Sequence, residues 1–191
     1  MTPPKGSAPK KDRRKKAAPK KSTTSRPAMA KKSSTRLSTL SPEKQLDAFL
    51  DKFTPEIAAQ ARTVLRKMRT RLPGAYELVY DNYNALAIGF SPTERASDGI
   101  FSIALYPRWV SLFFLQNGTR LRDPAGLLAG SGNQARHIVL ETPALLDTPA
   151  VQELIAQALE LAPQSIDPAQ PRRLIIKSIS AKQRPRRPAG E

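Results

Sequence analysis

Apolar positions change their spacing several times along residues 41–168, and each change predicts an element. Ser41-Pro42-Glu43 reads as a helix start: a hydroxyl N-cap, a proline where the first helical N–H is not needed, and an acid at the positive dipole end. That helix is predicted to run to about Lys52. Thr54-Pro55-Glu56 repeats the signal. From there Ile57, Ala61, Val64, Leu65, Met68 and Leu72 recur at helical spacing on one face, while Arg62, Arg66, Lys67, Arg69 and Arg71 fill the rest. Leu72-Pro73-Gly74 ends the helix.

The pattern then turns to strands. Residues 76–80 (Tyr-Glu-Leu-Val-Tyr) are short and rich in β-formers, and Asp81-Asn-Tyr-Asn84 is turn chemistry. Residues 85–90 alternate small and large side chains. After a polar loop at 91–99, residues 100–106 and 109–115 are strongly apolar on both faces, which predicts interior strands. Pro107 cannot take the positive φ of a primed two-residue turn, so this hairpin is expected to use a wider loop or a bulge. A short helical piece near 124–128, a glycine stretch at 130–133, a strand at 136–140 and a helix from Thr148-Pro149 follow. In that helix Val151, Leu154, Ile155, Ala158, Leu159 and Ala162 share one face. Residues 174–179 read as a last strand at a sheet edge, which would anchor Arg184, Arg186 and Arg187 at a fixed place, or else as a segment that recruits a partner. Strands in succession with helices at the ends define an α+β class: a mainly antiparallel sheet of about five strands packed against N-terminal and C-terminal helices, with disordered basic tails.

The Leu72-Pro-Gly-Ala75 break into the first strand, the Ala104-Leu-Tyr-Pro-Arg-Trp109 hairpin and the Gly130-Ser-Gly132 approach to Ile138 resemble the YdhG-like domains of bacteria. The resemblance covers about residues 45–180 and rests on structural turns. It implies a small α+β domain of a family without an assigned general activity, some members of which are described as frataxin-like iron chaperones. Where many relatives carry a Tyr-Gly-Met-Pro-type turn, this chain has Tyr80-Asp81-Asn82-Tyr83.

Charge divides the chain into three. Of 32 Lys and Arg in 191 residues, 13 lie in residues 1–40 against one Asp, and seven in 169–191 against one Glu; the stretch between has 12 basic and 14 acidic residues. The first 40 residues hold only Met1, Met29, Leu37 and Leu40 as large apolar side chains, too few to offset the entropy of ordering, so disorder is expected there. The expected organisation is a basic tail at 1–40, the YdhG-like α+β domain at 41–180 and a second basic tail at 181–191. The absence of Cys removes disulfides, thiolate metal sites and cysteine nucleophiles, and fits a reducing cytoplasm. A single His excludes schemes that need two. No apolar run reaches the roughly 20 residues of a membrane span, and the start has no apolar signal segment.

Candidate chemistry follows from these divisions. Lys10, Lys11, Arg13, Arg14, Lys15, Lys16, Lys20 and Lys21, with Arg184, Arg186 and Arg187, are expected to meet nucleic acid or another polyanion by counterion release, without sequence preference. Neither tail has aromatics or a helix to read bases. The competing uses of such tails are solubility, an anionic membrane or an acidic protein; the lack of bulky anchors argues against the membrane. Tyr80, Tyr83, Tyr106, Arg108 and Trp109 lie near strand ends and would line a ligand pocket with a cationic anchor, or else close the core at the sheet rim. Glu43, Asp47 and Asp51 fall on one helix face, where a carboxylate ridge binds hard cations weakly or simply faces solvent. His137 has no orienting carboxylate in sequence, and residues 130–133 lack the Lys-Ser/Thr of a phosphate loop. No catalytic set, resident metal or cofactor is called for. The expectation is a binding protein, with an iron chaperone or a small-molecule-binding domain or enzyme of unrecognised type as alternatives.

Overall fold

A computed structural model describes residues 40–188. Three helices pack on one side of a six-stranded mixed sheet. The elements in order are α1 (Pro42–Leu50), α2 (Pro55–Arg71), β1 (Tyr76–Asp81), β2 (Leu86–Ser91), β3 (Phe101–Leu105), β4 (Val110–Phe114), β5 (Arg136–Leu140), α3 (Pro149–Glu160) and β6 (Arg173–Ile179). Both expected helix starts form as the residues require. Ser41 Oγ accepts from the Lys44 N–H, and Thr54 Oγ1 accepts from the Ile57 N–H, each at 3.4 Å. Such caps contribute about 1 kcal/mol apiece.

The strand order is β5-β4-β3-β2-β1-β6, antiparallel throughout except for β1 with β6. The sheet is therefore mixed, with one strand more than the expected count. The parallel pair has a geometric origin. β5 and β6 lie at opposite edges, five strand spacings or about 24 Å apart. The chain crosses that width through α3, about 18 Å long, and the link 161–172. It then enters at the end where β1 also begins. Gly74 fixes this entry. Its φ is +78°, and a Cβ there would lie 2.0 Å from the Asp167 carbonyl oxygen, so only glycine lets the link pass. The Gln170 side chain completes the contact by donating to the Gly74 carbonyl.

Strand parity sorts the sheet's side chains. Val79, Leu86, Ile88, Phe90, Phe101, Ile103, Leu105, Val110, Leu112, Phe114, Ile138, Leu140 and Leu174 point to the side that buries Phe49, Leu65, Met68, Leu154 and Ile155 from the helices. All three helices contribute to this one core. The reverse side of the sheet carries no helix. β3 and β4 are interior strands, as their two apolar faces predicted, but only one of those faces is packed against helices.

The β3–β4 connection spans Tyr106–Trp109. The Tyr106 N–H donates to the Trp109 carbonyl at 2.9 Å, and none of its residues has positive φ. The register runs evenly from Leu105 opposite Val110 to Phe101 opposite Phe114, so the wider loop forms and no bulge is needed. Residues 124–128 are not helical, against expectation. Gly126 adopts φ +67°, and Asp123 captures the Leu128 N–H at 2.7 Å, so local side-chain bonding wins over helix propagation.

Candidate functional site

β1 places two carboxylates on the helix-covered side. Glu77 and Asp81 share strand parity with Val79, and both are almost wholly buried. A buried carboxylate must be paired. Glu77 receives the Arg69 guanidinium in a two-pronged contact at 2.8 and 2.7 Å, and Arg172 at 2.9 Å. The hydrogen bonds to Glu77 hold the Arg69 pKa above its ordinary value. At the other end of β1, Asp81 receives Lys52 at 2.6 Å and Arg186 at 2.8 Å.

That second contact corrects one expectation. Arg186 is not a free cation at a tail: it is 5% exposed, its guanidinium 5.6 Å from the Phe53 ring, and it also donates to the Asn82 carbonyl. Desolvation and the Asp81 carboxylate commit its charge to the body, so it is not available to phosphate. Its Nε and Nη1 have no protein partner. The segment around it is laid on the domain too. The Ser180 N–H donates to the Asp81 carbonyl at 2.8 Å, and the Arg184 N–H donates to the Tyr83 carbonyl at 2.9 Å. Arg187 donates to the carbonyls of Phe53 and Asp51. Residues 180–188 thus form a strap, from which Arg184 and Arg187 face solvent. Lys10, Lys11, Arg13, Arg14, Lys15, Lys16, Lys20 and Lys21 lie outside the described residues.

The five rim candidates gather at one end of the sheet. β2 and β3 are antiparallel neighbours, so the β1–β2 and β3–β4 connections lie side by side. Tyr83, half exposed, sits in the first connection beneath the Arg184 guanidinium at 5.5 Å. Tyr106 and Trp109 stack in the second, with centroids 5.0 Å apart and planes 25° from parallel, and Arg108 between them in sequence is exposed. Tyr80 lies on β1; burial pushes its pKa up, and its hydroxyl has no partner. These residues form an open rim rather than an enclosed pocket. The clefts lie elsewhere: about 260 Å³ between α1 and α2, lined by Glu43, Asp47, Arg62 and Arg69, and about 460 Å³ between the ends of α2 and α3, lined by Arg71, Ile155 and Leu159.

The α1 ridge is met by arginines. Arg62 lies 2.6 Å from Asp51 and 3.8 Å from Asp47, and Arg172 lies 3.7 Å from Glu43. Among the described residues no cluster of three His, Cys, Asp or Glu side chains could hold a metal. His137 stacks on Phe113 at 4.9 Å on the open side of the sheet. The glycine stretch is a turn, whose Gly132 carbonyl accepts from Arg136.

Sequence reasoning missed Glu77, Asp81 and their partners. A signal existed in the alternation Glu77–Val79–Asp81, but Leu78 and Tyr80 offered an equally apolar opposite face. No known family model matches the chain, and neither a curated protein nor a solved structure matches it. No helix among the described residues is long and apolar enough to cross a membrane.

Proposed function

We infer that the protein is a non-enzymatic binding protein: a YdhG-like domain carrying a basic segment that contacts nucleic acid without sequence preference. The observation that carries this reading is the uneven charge, with 13 Lys and Arg against one Asp in residues 1–40 beside a near-neutral stretch at 41–168. Clustered cations release condensed counterions when they meet phosphates, which supplies affinity without base readout. The C-terminal contribution is smaller than the composition alone implies, because Arg186 is consumed by Asp81. The YdhG-like reading is supported by the α-α-β-β-β-β-β-α-β order and the turns at Gly74 and Pro107. Location in the cytoplasm belongs to the same proposal.

Binding to a short DNA duplex at rising salt tests it, using the full chain and a 41–191 truncation that keeps every described helix and strand. The full chain should show a slope of log K against log salt of roughly −5, from about six phosphates neutralised. The truncation should lose most of the affinity and most of the slope. Equal binding by the two proteins would remove the tail from the mechanism.

A further inference from the structure

Among the described residues five large apolar side chains are exposed, and four of them lie at one end of the sheet. Ile179 ends β6 opposite Asp81, Tyr83 sits in the β1–β2 connection, Trp109 closes the β3–β4 connection, and Val139 is the last residue but one of β5. The register makes these ends neighbours: Asp81 pairs with Leu86, Leu86 with Leu105, Leu105 with Val110 and Val110 with Leu140. Each of the four is 42–48% exposed. From β6 to β5 they span five strand spacings, about 24 Å, so they stand along a border rather than around a hollow. The clefts described above are lined by other residues.

The same border is cationic. The segments that close it, 82–85, 106–109 and 180–188, contain no Asp or Glu. They expose Arg108, Lys182 and Arg184, and among the described residues none of these three is ion-paired. Exposed acids stand at its flanks: Asp51, held by Arg62, and Glu56 on the helix side, and Glu141 beyond β5. The side chains are of two kinds. Tyr83 and Trp109 are amphipathic, and one face of each ring is already occupied, by the Arg184 guanidinium at 5.5 Å and by the Tyr106 ring at 5.0 Å. Ile179 and Val139 are aliphatic; phosphate offers them nothing, and they are stabilised only by leaving water.

We propose that this border docks on an anionic lipid bilayer and lies in its headgroup region without crossing it. Tyr and Trp rings favour that depth, where the ring body meets an apolar layer while the hydroxyl or indole N–H stays hydrated. Ile179 and Val139 add aliphatic contact. Arg108, Lys182 and Arg184 meet headgroup phosphates, each worth about fivefold in partitioning at an anionic surface. Stable attachment takes two signals, and the chain holds them in separate places. Residues 1–40 carry 13 Lys and Arg without bulky anchors, and the border carries the anchors with a few cations. The proposal goes beyond the nucleic-acid reading, which concerns the basic segment alone, and neither depends on the other.

Trp109 is the only tryptophan of the chain, so the border carries its own reporter. The experiment titrates the full chain with vesicles of phosphatidylcholine, with vesicles of phosphatidylcholine and phosphatidylglycerol, and with a single-stranded oligonucleotide. It follows Trp109 emission together with co-sedimentation. The anionic vesicles should shift the emission to the blue and shield Trp109 from acrylamide; phosphatidylcholine alone and the oligonucleotide should do neither. Trp109→Ser and Tyr83→Ser should each weaken co-sedimentation by about tenfold, the equivalent of returning about 55 Å² of apolar surface to water. Arg108→Ser should weaken it by about fivefold. All three positions are exposed, and circular dichroism reports that the variants are folded. Co-sedimentation with no shift of Trp109, undiminished in Trp109→Ser and Tyr83→Ser, would mean that the basic segment alone holds the vesicle, and overturns the docking border. Absence of co-sedimentation overturns it as well. A Trp109 response to the oligonucleotide but not to vesicles gives the border to nucleic acid and overturns the bilayer.

Discussion

On the helix-covered side of the sheet, Phe90, Phe101, Leu112 and Phe114 are fully buried, and Phe101 meets Phe114 edge to face at 5.7 Å. On the reverse, the same strands present Gly89, Ser102, Ser111 and Phe113. One side is filled to crystal-like density by α1, α2 and α3; the other keeps small residues in the middle and exposes 43% of its tryptophan. The two sides also divide the acids. Glu77 and Asp81 are buried beneath the helices and held by four cations, whereas the strand residues of the reverse side include no acid. A sheet whose second side served only to face water would show polar residues alternating outward. This one keeps Leu78, Ser102, Ala104 and Ser111 buried although no helix lies over them.

The comparison breaks most visibly at Phe101. Phe101→Ala leaves a cavity in the covered core and should cost about 3–5 kcal/mol, read from urea unfolding at neutral pH. A loss below about 1 kcal/mol would mean that the helices do not seal this side. Arg186→Ala comes next, because Asp81 closes the same side at the end of β1. With Lys52 still in place at 2.6 Å, the carboxylate is not left wholly unpaired, and the expected loss is about 2 kcal/mol. Limited proteolysis should then cut within 180–188, and resistance equal to the parent would show that the strap is held by its backbone bonds alone. Phe113→Ala, on the open side and only half-buried, should change stability by less than about 1 kcal/mol. A loss as large as that at Phe101 would reveal a second core where none is described.

Much of the covered side was legible. The paired Ser/Thr-Pro-Glu signals located both N-terminal helices to within two residues at their starts, and the strands 100–106 and 109–115 were placed in the sheet interior. Local signals sufficed because caps, prolines and alternation act over a few residues. The β1–β6 pair was not legible as parallel, since its partners lie 97 residues apart and are joined across the sheet's full width. Arg186 illustrates the same limit. In sequence it sits among prolines and arginines like those of the first tail. The strand before it was read from sequence and does bring the segment onto the domain, but the partner Asp81, 105 residues away, was not legible. Composition reads charge but not where the chain carries it. The rim candidates were legible as residue types and as neighbours, but which side of the sheet each strand residue faces required knowing which parity the helices cover.

The smallest expected effect concerns acid pH, and it also distinguishes the two sides. Asp147, just before α3, accepts hydrogen bonds from Lys67 and from Arg71 of α2, and these hold its carboxyl below the ordinary 3.8. A carboxylate with a depressed folded pKa stabilises the native state in full above its unfolded value. That contribution is lost as pH falls through the lower folded value. The helical layer should therefore loosen at its α2–α3 junction as pH drops below 3.8, while the strand residues of the reverse side, which include no carboxylate, have nothing to titrate in that range. Urea midpoints measured from about pH 6 to about pH 2 should fall less steeply at the acid end for Asp147→Asn than for the parent chain. The variant gives up the pair at neutral pH and so has less to lose on acidification. Parallel curves for the two proteins would show that the junction does not depend on this carboxylate.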